Sequence, residues 1–142
     1  MKAVLDAYAV IAALVGEQAR SEVEPLIEDG MICAPNLAEV LDVCVRVHGN
    51  NEPIVRERIT WLITGGLEVT PLDERLALIA GSLRSRRYQR RRCEISQGDC
   101  YALALAQRRG LGLATADPEL ARAARTEGVD VIALPDSRGK RP

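Results

Sequence analysis

The chain has 142 residues, 47% of them hydrophobic, and its 19 Lys plus Arg are balanced by 20 Asp plus Glu. This length and composition predict one globular domain with a single core. A formal net charge of -1 argues neither for a protein that coats nucleic acid nor for an acidic tail. No secretory signal follows Met1 and no apolar run approaches the roughly 18 residues that span a bilayer, so we expect a cytoplasmic protein without membrane contact.

Five short apolar runs bounded by Gly, Pro or Asp have the pattern of buried parallel strands. They cover residues 3–5, 31–33, 67–70, 113–115 and 131–133. Between them apolar residues recur three and four apart, which predicts helices. This alternation predicts a three-layer α/β domain over residues 1–134, with a central parallel sheet of four to five strands flanked by helices. Residues 135–142 are expected to form a flexible basic tail.

The four cysteines, Cys33, Cys44, Cys93 and Cys100, show no CxxC spacing. With the lone His48, which we place on the surface, they make a poor zinc site. We expect reduced thiols, with Cys33 and Cys44 packed as small hydrophobic side chains.

Four carboxylates, Asp6, Glu39, Asp99 and Asp117, stand at predicted helix starts. Each has a capping interpretation. Asp6 would cap a helix over residues 7–15, and Asp117 precedes a proline suited to the first helical position. Asn36 with Glu39, and Ser96 with Asp99, have the spacing of a capping box.

The same acids also have a metal-binding interpretation, because helix starts that follow parallel strands lie along the ligand-binding edge of a sheet. Asp99 shares a helical stripe with Ala102 and Leu103 and has no basic neighbour there, and a half-buried acid needs a partner. Glu39 is the weaker candidate, since its helix face is polar. Oxygen ligands without His or Cys favour Mg²⁺ or Mn²⁺ over zinc and suit phosphoryl chemistry.

Other phosphate-handling folds fit less well. A receiver-type domain needs a pair of acids after the first strand and a lysine after the last, but the only lysines are Lys2 and Lys140. Dinucleotide binding is disfavoured because Gly110 and Gly112 lack a third glycine and precede a strand.

Four segments, at residues 3–12, 35–41, 95–104 and 113–120, together resemble the PIN-domain ribonucleases, specifically the VapC-type toxins. The resemblance implies an Mg²⁺- or Mn²⁺-dependent endoribonuclease that acts on RNA, forms a homodimer and is neutralised by a cognate antitoxin. By position, Asp6, Glu39, Asp99 and Asp117 match the family's catalytic acids. The ion is assigned to Asp6, Asp99 and Asp117, Glu39 completes or buttresses its shell, and Thr115 matches a supporting position.

One departure from the family pattern is Tyr8, where these toxins usually carry Ser or Thr. A phenol could supply the missing hydroxyl only if its ring turns toward the cleft, and we favour the interpretation that Tyr8 packs in the first helical turn. Because that leaves the site altered, the alternative function is a catalytically weak PIN-like module that binds RNA or protein. Divalent-dependent RNA cleavage separates the two.

Residues 84–92 hold six arginines in nine positions. One interpretation is a solvated face. In the other, residues 85–95 travel back along the domain at about 3.3 Å each, between a helix that leaves the ligand edge and one that starts there. Arg90, Arg91 and Arg92 would then lie near the acids and contact RNA phosphates, with Tyr88 as a stacking surface.

Overall fold

The computed structural model describes all 142 residues, Met1–Pro142. In chain order its elements are β1 (Ala3–Leu5), α1 (Ala7–Val15), α2 (Arg20–Ile27), β2 (Met31–Cys33), α3 (Ala34–Arg46), α4 (Glu52–Thr64), β3 (Glu68–Thr70), α5 (Glu74–Arg87), α6 (Gln97–Arg109), β4 (Gly112–Thr115), α7 (Pro118–Thr126) and β5 (Val131–Ala133). No helix is both long and apolar enough to cross a bilayer.

The five strands form one parallel sheet in the order β3-β2-β1-β4-β5. This confirms the predicted fold class, and every strand lies within one residue of its predicted bounds. The chain adds β2 and β3 on one side of β1, then places β4 and β5 on the other. The strand order therefore reverses between β1 and β4, which is where ligands bind in open parallel sheets.

Two cores cover the two faces of the sheet. Successive strand residues point to opposite faces, so Leu5 and Ile32 pack with helices α1 to α4, whereas Val4 and Leu113 pack with α5, α6 and α7. The result is the predicted three-layer arrangement. It brings the start of α6 and the start of α7 to the same side of the sheet.

The path between α5 and α6 differs from the extended path that was predicted for residues 85–95. Asp73, at the start of α5, pairs with Arg108 in the last turn of α6, while Arg84 near the end of α5 donates from Nε to the Ile95 carbonyl just before α6. The two helices are therefore antiparallel. Helix α5 itself carries the chain back along the domain, so the prediction that residues 85–95 do so in an extended conformation is wrong.

Only a short loop joins the two helices. Gln89 and Cys93 exchange backbone hydrogen bonds of 2.9 and 2.8 Å, which places residues 90–92 at the tip of a tight turn. The sequence pattern did not predict this turn, because an arginine run carries no turn signal of the Gly or Pro kind.

The segment 135–142, predicted to be a flexible basic tail, makes contacts with the domain. The Tyr8 hydroxyl donates to the Pro135 carbonyl at 3.1 Å, and Arg141 pairs with Glu22 of α2 at 2.6 Å. Its mobility stays a prediction. The other local predictions hold: all four cysteines are free thiols, with Cys33 and Cys44 buried, and His48 is exposed.

Candidate metal centre

Asp6 lies where the buried strand β1 gives way to α1. Its carboxylate caps that helix, accepting a hydrogen bond from the Ala9 amide at 2.8 Å, and only 5% of the residue is exposed. Burial raises the pKa of Asp6 to about 7, against the lowering effect of hydrogen bonds from the Thr115 hydroxyl and the Ala9 amide. The charges on Asp99 and Asp117 raise it further. The carboxylate is thus short of positive charge.

Asp117 follows β4, the neighbour of β1, and caps α7. It accepts hydrogen bonds from the amides of Glu119 at 2.7 Å and Leu120 at 3.1 Å. The fully buried Thr115 accepts from the Asp117 amide at 3.0 Å, and its side chain also lowers the pKa of Asp6. Thr115 therefore lies between two of the predicted acids at the reversal point of the sheet. Its supporting role in catalysis stays a prediction.

Asp99 lies in the first turn of α6, within the predicted capping box. The Asp99 amide donates to Ser96 Oγ at 3.0 Å, and the Ser96 amide donates to Asp99 Oδ2 at 2.9 Å. Burial raises the pKa of Asp99, with a further contribution from the charge of Asp117. The box occupies only one carboxylate oxygen. Capping and metal binding are therefore compatible at this residue.

The second predicted capping box, Asn36 with Glu39, is wrong. Helix α3 begins at Ala34 with Cys33 as its cap, because Pro35 fits the first turn of a helix and lets it start early. Asn36 is consequently a helical residue, and only 2% of it is exposed. Glu39 lies in the second turn of α3.

Both residues instead face the start of α6. Asn36 Nδ2 donates to the Gly98 carbonyl at 2.9 Å, and Glu39 Oε2 is 3.3 Å from where a Cβ on Gly98 would stand. Desolvation raises the pKa of Glu39, followed by the charge of Asp99. A side chain on Gly98 would crowd this contact between α3 and α6.

Asn36 is the residue that sequence reasoning missed. Its signal was present, since Asn36 shares the apolar stripe of Val40 and Cys44 at intervals of four residues. A polar side chain on a buried stripe needs partners. Here Nδ2 has one, while Oδ1 is buried and unpartnered.

The four acids have no cationic partner in the protein. No ion pair includes Asp6, Glu39, Asp99 or Asp117. No group of three or more His, Cys, Asp or Glu side chains is arranged to hold an ion as it stands. The donor set nevertheless fits a hard cation, since it consists of carboxylate oxygens with one unpartnered amide oxygen nearby.

Two predicted features remain, Tyr8 and the loop with the three arginines. Tyr8 donates its hydroxyl to Pro135 and packs against the core, in agreement with its interpretation as a packing residue. The loop with Arg90, Arg91 and Arg92 flanks α7, because Arg122 of that helix donates to the Arg92 carbonyl at 3.1 Å. Contact of these arginines with RNA stays a prediction.

Comparison with known proteins gives one family and several structures. A sequence model of the PIN-domain family matches residues 3–126, and no curated protein matches the chain. The chain is similar to FitAcB from Neisseria gonorrhoeae, with 26% identity, coverage of 92% of this chain and 96% of that one, and a TM-score of 0.63.

Two further structures share the fold at lower identity. VapBC2 from Rickettsia felis, solved with a promoter DNA fragment, is 14% identical, with coverage of 94% and 99% and a TM-score of 0.71. VapC20 from Mycobacterium tuberculosis, a toxin that cleaves the sarcin-ricin loop, is 16% identical, with coverage of 87% and 95% and a TM-score of 0.68.

Proposed function

This chain belongs to the PIN-domain family, and on that premise we propose that it is the endoribonuclease toxin of a VapC-type toxin-antitoxin pair, dependent on Mg²⁺ or Mn²⁺. The observation that carries the proposal is the meeting of Asp6, Asp99 and Asp117 beside the reversal point of the sheet. Their charges act on one another, and no protein cation offsets them. A cation bound from solution would offset these negative charges.

In this proposal Asp6, Asp99 and Asp117 hold the ion and Glu39 completes its shell from α3. A bound divalent ion stabilises charge on a phosphodiester and acidifies water. The protein's own part is to keep the carboxylates oriented: backbone amides at the helix starts donate to one oxygen of each Asp, and the Thr115 hydroxyl accepts from the Asp117 amide. No histidine or cysteine nucleophile is needed.

Asn36 is a positioning residue in this arrangement. Its hydrogen bond to Gly98 ties α3 to the first turn of α6, so it sets the separation of Glu39 and Asp99. Arg90, Arg91 and Arg92 extend the site along α7 and would offset RNA backbone charge.

The proposed partners are RNA, a cognate antitoxin and a second copy of the chain. A groove of about 450 Å³ between α1, α2 and α4 is lined by Leu14, Leu62 and Trp61, and Trp61 is 63% exposed. Exposed apolar surface of this kind marks protein interfaces. We place the antitoxin there, on the helical layer across the sheet from α6 and α7.

A catalytically weak RNA-binding or protein-binding module remains the second candidate. Two observations favour it. No three His, Cys, Asp or Glu side chains are arranged to hold an ion. Tyr8, at the position where the family usually has Ser or Thr, donates its hydroxyl to the Pro135 carbonyl. Such a module would bind RNA without cutting it.

The deciding experiment measures cleavage of total RNA by purified protein with Mg²⁺, with Mn²⁺ and with EDTA. We expect cleavage with either ion, none with EDTA, and loss of cleavage in Asp99→Asn. The matched control is Asp73→Asn, another helix-start aspartate, which should cleave normally. A folded Asp99→Asn protein with full ion-dependent activity would refute the assignment, and wild-type RNA binding without cleavage would establish the weak module.

A further inference from the structure

A cleft of about 410 Å³ lies between α5 and α6. Its floor consists of small residues, Ala77, Ala80 and Gly81 on α5 and Cys100 on α6. Nothing lies within 4 Å of the position that a Cβ on Gly81 would take, so a larger side chain there would enter open space. The volume falls within the range of about 300–1,000 Å³ that small-ligand sites occupy.

The rim of the cleft carries two aromatic rings and a guanidinium. Arg84 lies over the Tyr88 ring, 4.5 Å from its centroid, and its Nε donates to the Ile95 carbonyl. On the other side the Tyr101 hydroxyl donates to Gln97 Oε1 at 3.3 Å. These contacts order the groups before any ligand arrives. Ordered aromatic and guanidinium planes are the surfaces on which nucleobases stack.

The cleft is close to one of the four acids, Asp99. Asp99 lies two residues from Gln97 and two from Tyr101 in the first turns of α6, so its Cα is about 5 Å from theirs on the opposite side of the helix. An RNA strand that crosses the start of α6 with a phosphate at Asp99 would bring a neighbouring base to the cleft.

We propose that this cleft binds the base of a nucleotide adjacent to the cleaved phosphodiester in single-stranded RNA. The inference rests on the proposed ribonuclease function and adds a subsite to it. Stacking of a base between Tyr88, Arg84 and Tyr101 provides affinity for any base. The Gln97 amide and the guanidinium N–H groups of Arg84 provide hydrogen bonds to base edges. The cleft is therefore where a preference for one base at that position originates.

The test fills the cleft with Gly81→Leu, which suits a helix better than glycine does. Ser82→Leu is the matched control, because it adds a similar side chain to the exposed neighbouring position. The probe is a short single-stranded oligoribonucleotide in EDTA, compared with the same strand lacking single bases. We expect about tenfold weaker binding by Gly81→Leu, the scale of one lost stacking contact, and no change with Ser82→Leu.

Base removal provides the decisive comparison. At one position next to the cleavage site, a missing base should weaken binding by wild type but not by Gly81→Leu. Tyr101 supports the same test: Tyr101→Leu should weaken binding, and Tyr101→Phe should restore it because the ring is retained.

Three outcomes would overturn the base subsite. In the first, wild type cleaves RNA and folded Gly81→Leu and Tyr101→Leu bind every strand as wild type does. In the second, filling the cleft changes only the oligomeric state or antitoxin binding, which would make it a protein interface. In the third, wild type neither binds nor cleaves RNA, and then the proposed function fails with it.

Discussion

Asp6 and Asp73 both cap the start of a helix, but their electrostatic surroundings are opposite. Asp73 accepts from the Leu76 amide at 2.7 Å and pairs with Arg108, so the pKa of its exposed carboxyl is lowered, first by the amide and then by the arginine. Asp6 makes an equivalent cap but is buried without a cation, and its pKa is raised to about 7. Capping explains an aspartate at each position. It does not explain why one is left without countercharge.

The two residues also differ in place. Asp73 pairs with Arg108 in the last turn of α6, whereas burial raises the pKa of Asp6 and the charge of Asp99, in the first turn of that helix, raises it further. Asp73 is paired with an arginine, and Asp99 is in no ion pair. Helix caps alone do not require buried carboxylates that lack a countercharge. The missing countercharge at Asp6 is therefore what distinguishes a candidate metal centre from a set of helix caps.

The largest expected difference is in catalysis. Asp6→Asn should lower the rate of RNA cleavage on the order of a hundredfold or more, because losing several kcal/mol of transition-state charge stabilisation has that effect. Asp73→Asn should leave the rate unchanged, since both asparagines remain good caps. Initial rates at saturating Mn²⁺ measure this, and equal rates in the two variants would remove the distinction between them.

The next difference is in the pH dependence of stability without metal. A pKa of Asp6 raised from 3.8 to about 7 means that the folded state binds a proton more tightly than the unfolded state. Its stabilising contribution is present below about pH 4 and is lost as the pH rises through 7, a change of about 4 kcal/mol at most. Urea unfolding in EDTA should show this loss, and Asp6→Asn should show a smaller one.

The contribution of Asp73 to folding stability depends on pH in the opposite direction. Its pKa is lowered, so its contribution is present above the unfolded pKa and is lost as the pH falls through the folded value. Asp73→Asn should therefore change stability only near and above pH 4. A wild-type protein whose stability does not decline between pH 4 and 7 would show that Asp6 carries no uncompensated charge.

Metal binding should produce a somewhat smaller effect on stability. An ion that binds only the folded state at a hundredfold excess over Kd stabilises it by about 2.7 kcal/mol, which for a domain of this size raises Tm by several degrees. Mn²⁺ should produce this shift in wild type and Asp73→Asn and a reduced shift in Asp6→Asn. Equal shifts in all three would place the ion elsewhere.

The smallest expected effect concerns the arginine loop beside α7. Replacing Arg90, Arg91 and Arg92 with Gln should lower the slope of log affinity against log salt by up to about 2 for single-stranded RNA. The control replaces Arg20, Arg46 and Arg56, each paired with an acid four residues away, and removes the same charge. A similar reduction in both would indicate a general charge effect and not a phosphate contact.

Structural features that depend on contacts between residues close in sequence were predictable, whereas features that depend on contacts between distant residues were not. The cap at Asp6 and the box at Ser96 and Asp99 were predictable, because both are contacts within four residues. The box at Asn36 was not, since a preference for Pro35 in the first helical turn moved the helix start. The direction of α5 was also missed: it depends on Asp73 meeting Arg108, residues 35 positions apart.

The sequence by itself determined the five strands, the parallel three-layer fold and the candidate acids, because alternation of apolar runs and helix-start residues are local properties that the chain displays directly. Only the tertiary structure decided which acids are buried, which are paired with an arginine and which meet the start of α6 beside Asn36. It also decided that Arg84, Tyr88, Gln97 and Tyr101 surround one cleft. Burial and countercharge arise from elements far apart in the chain, and their effect on a carboxylate exists only once the fold has brought those elements together.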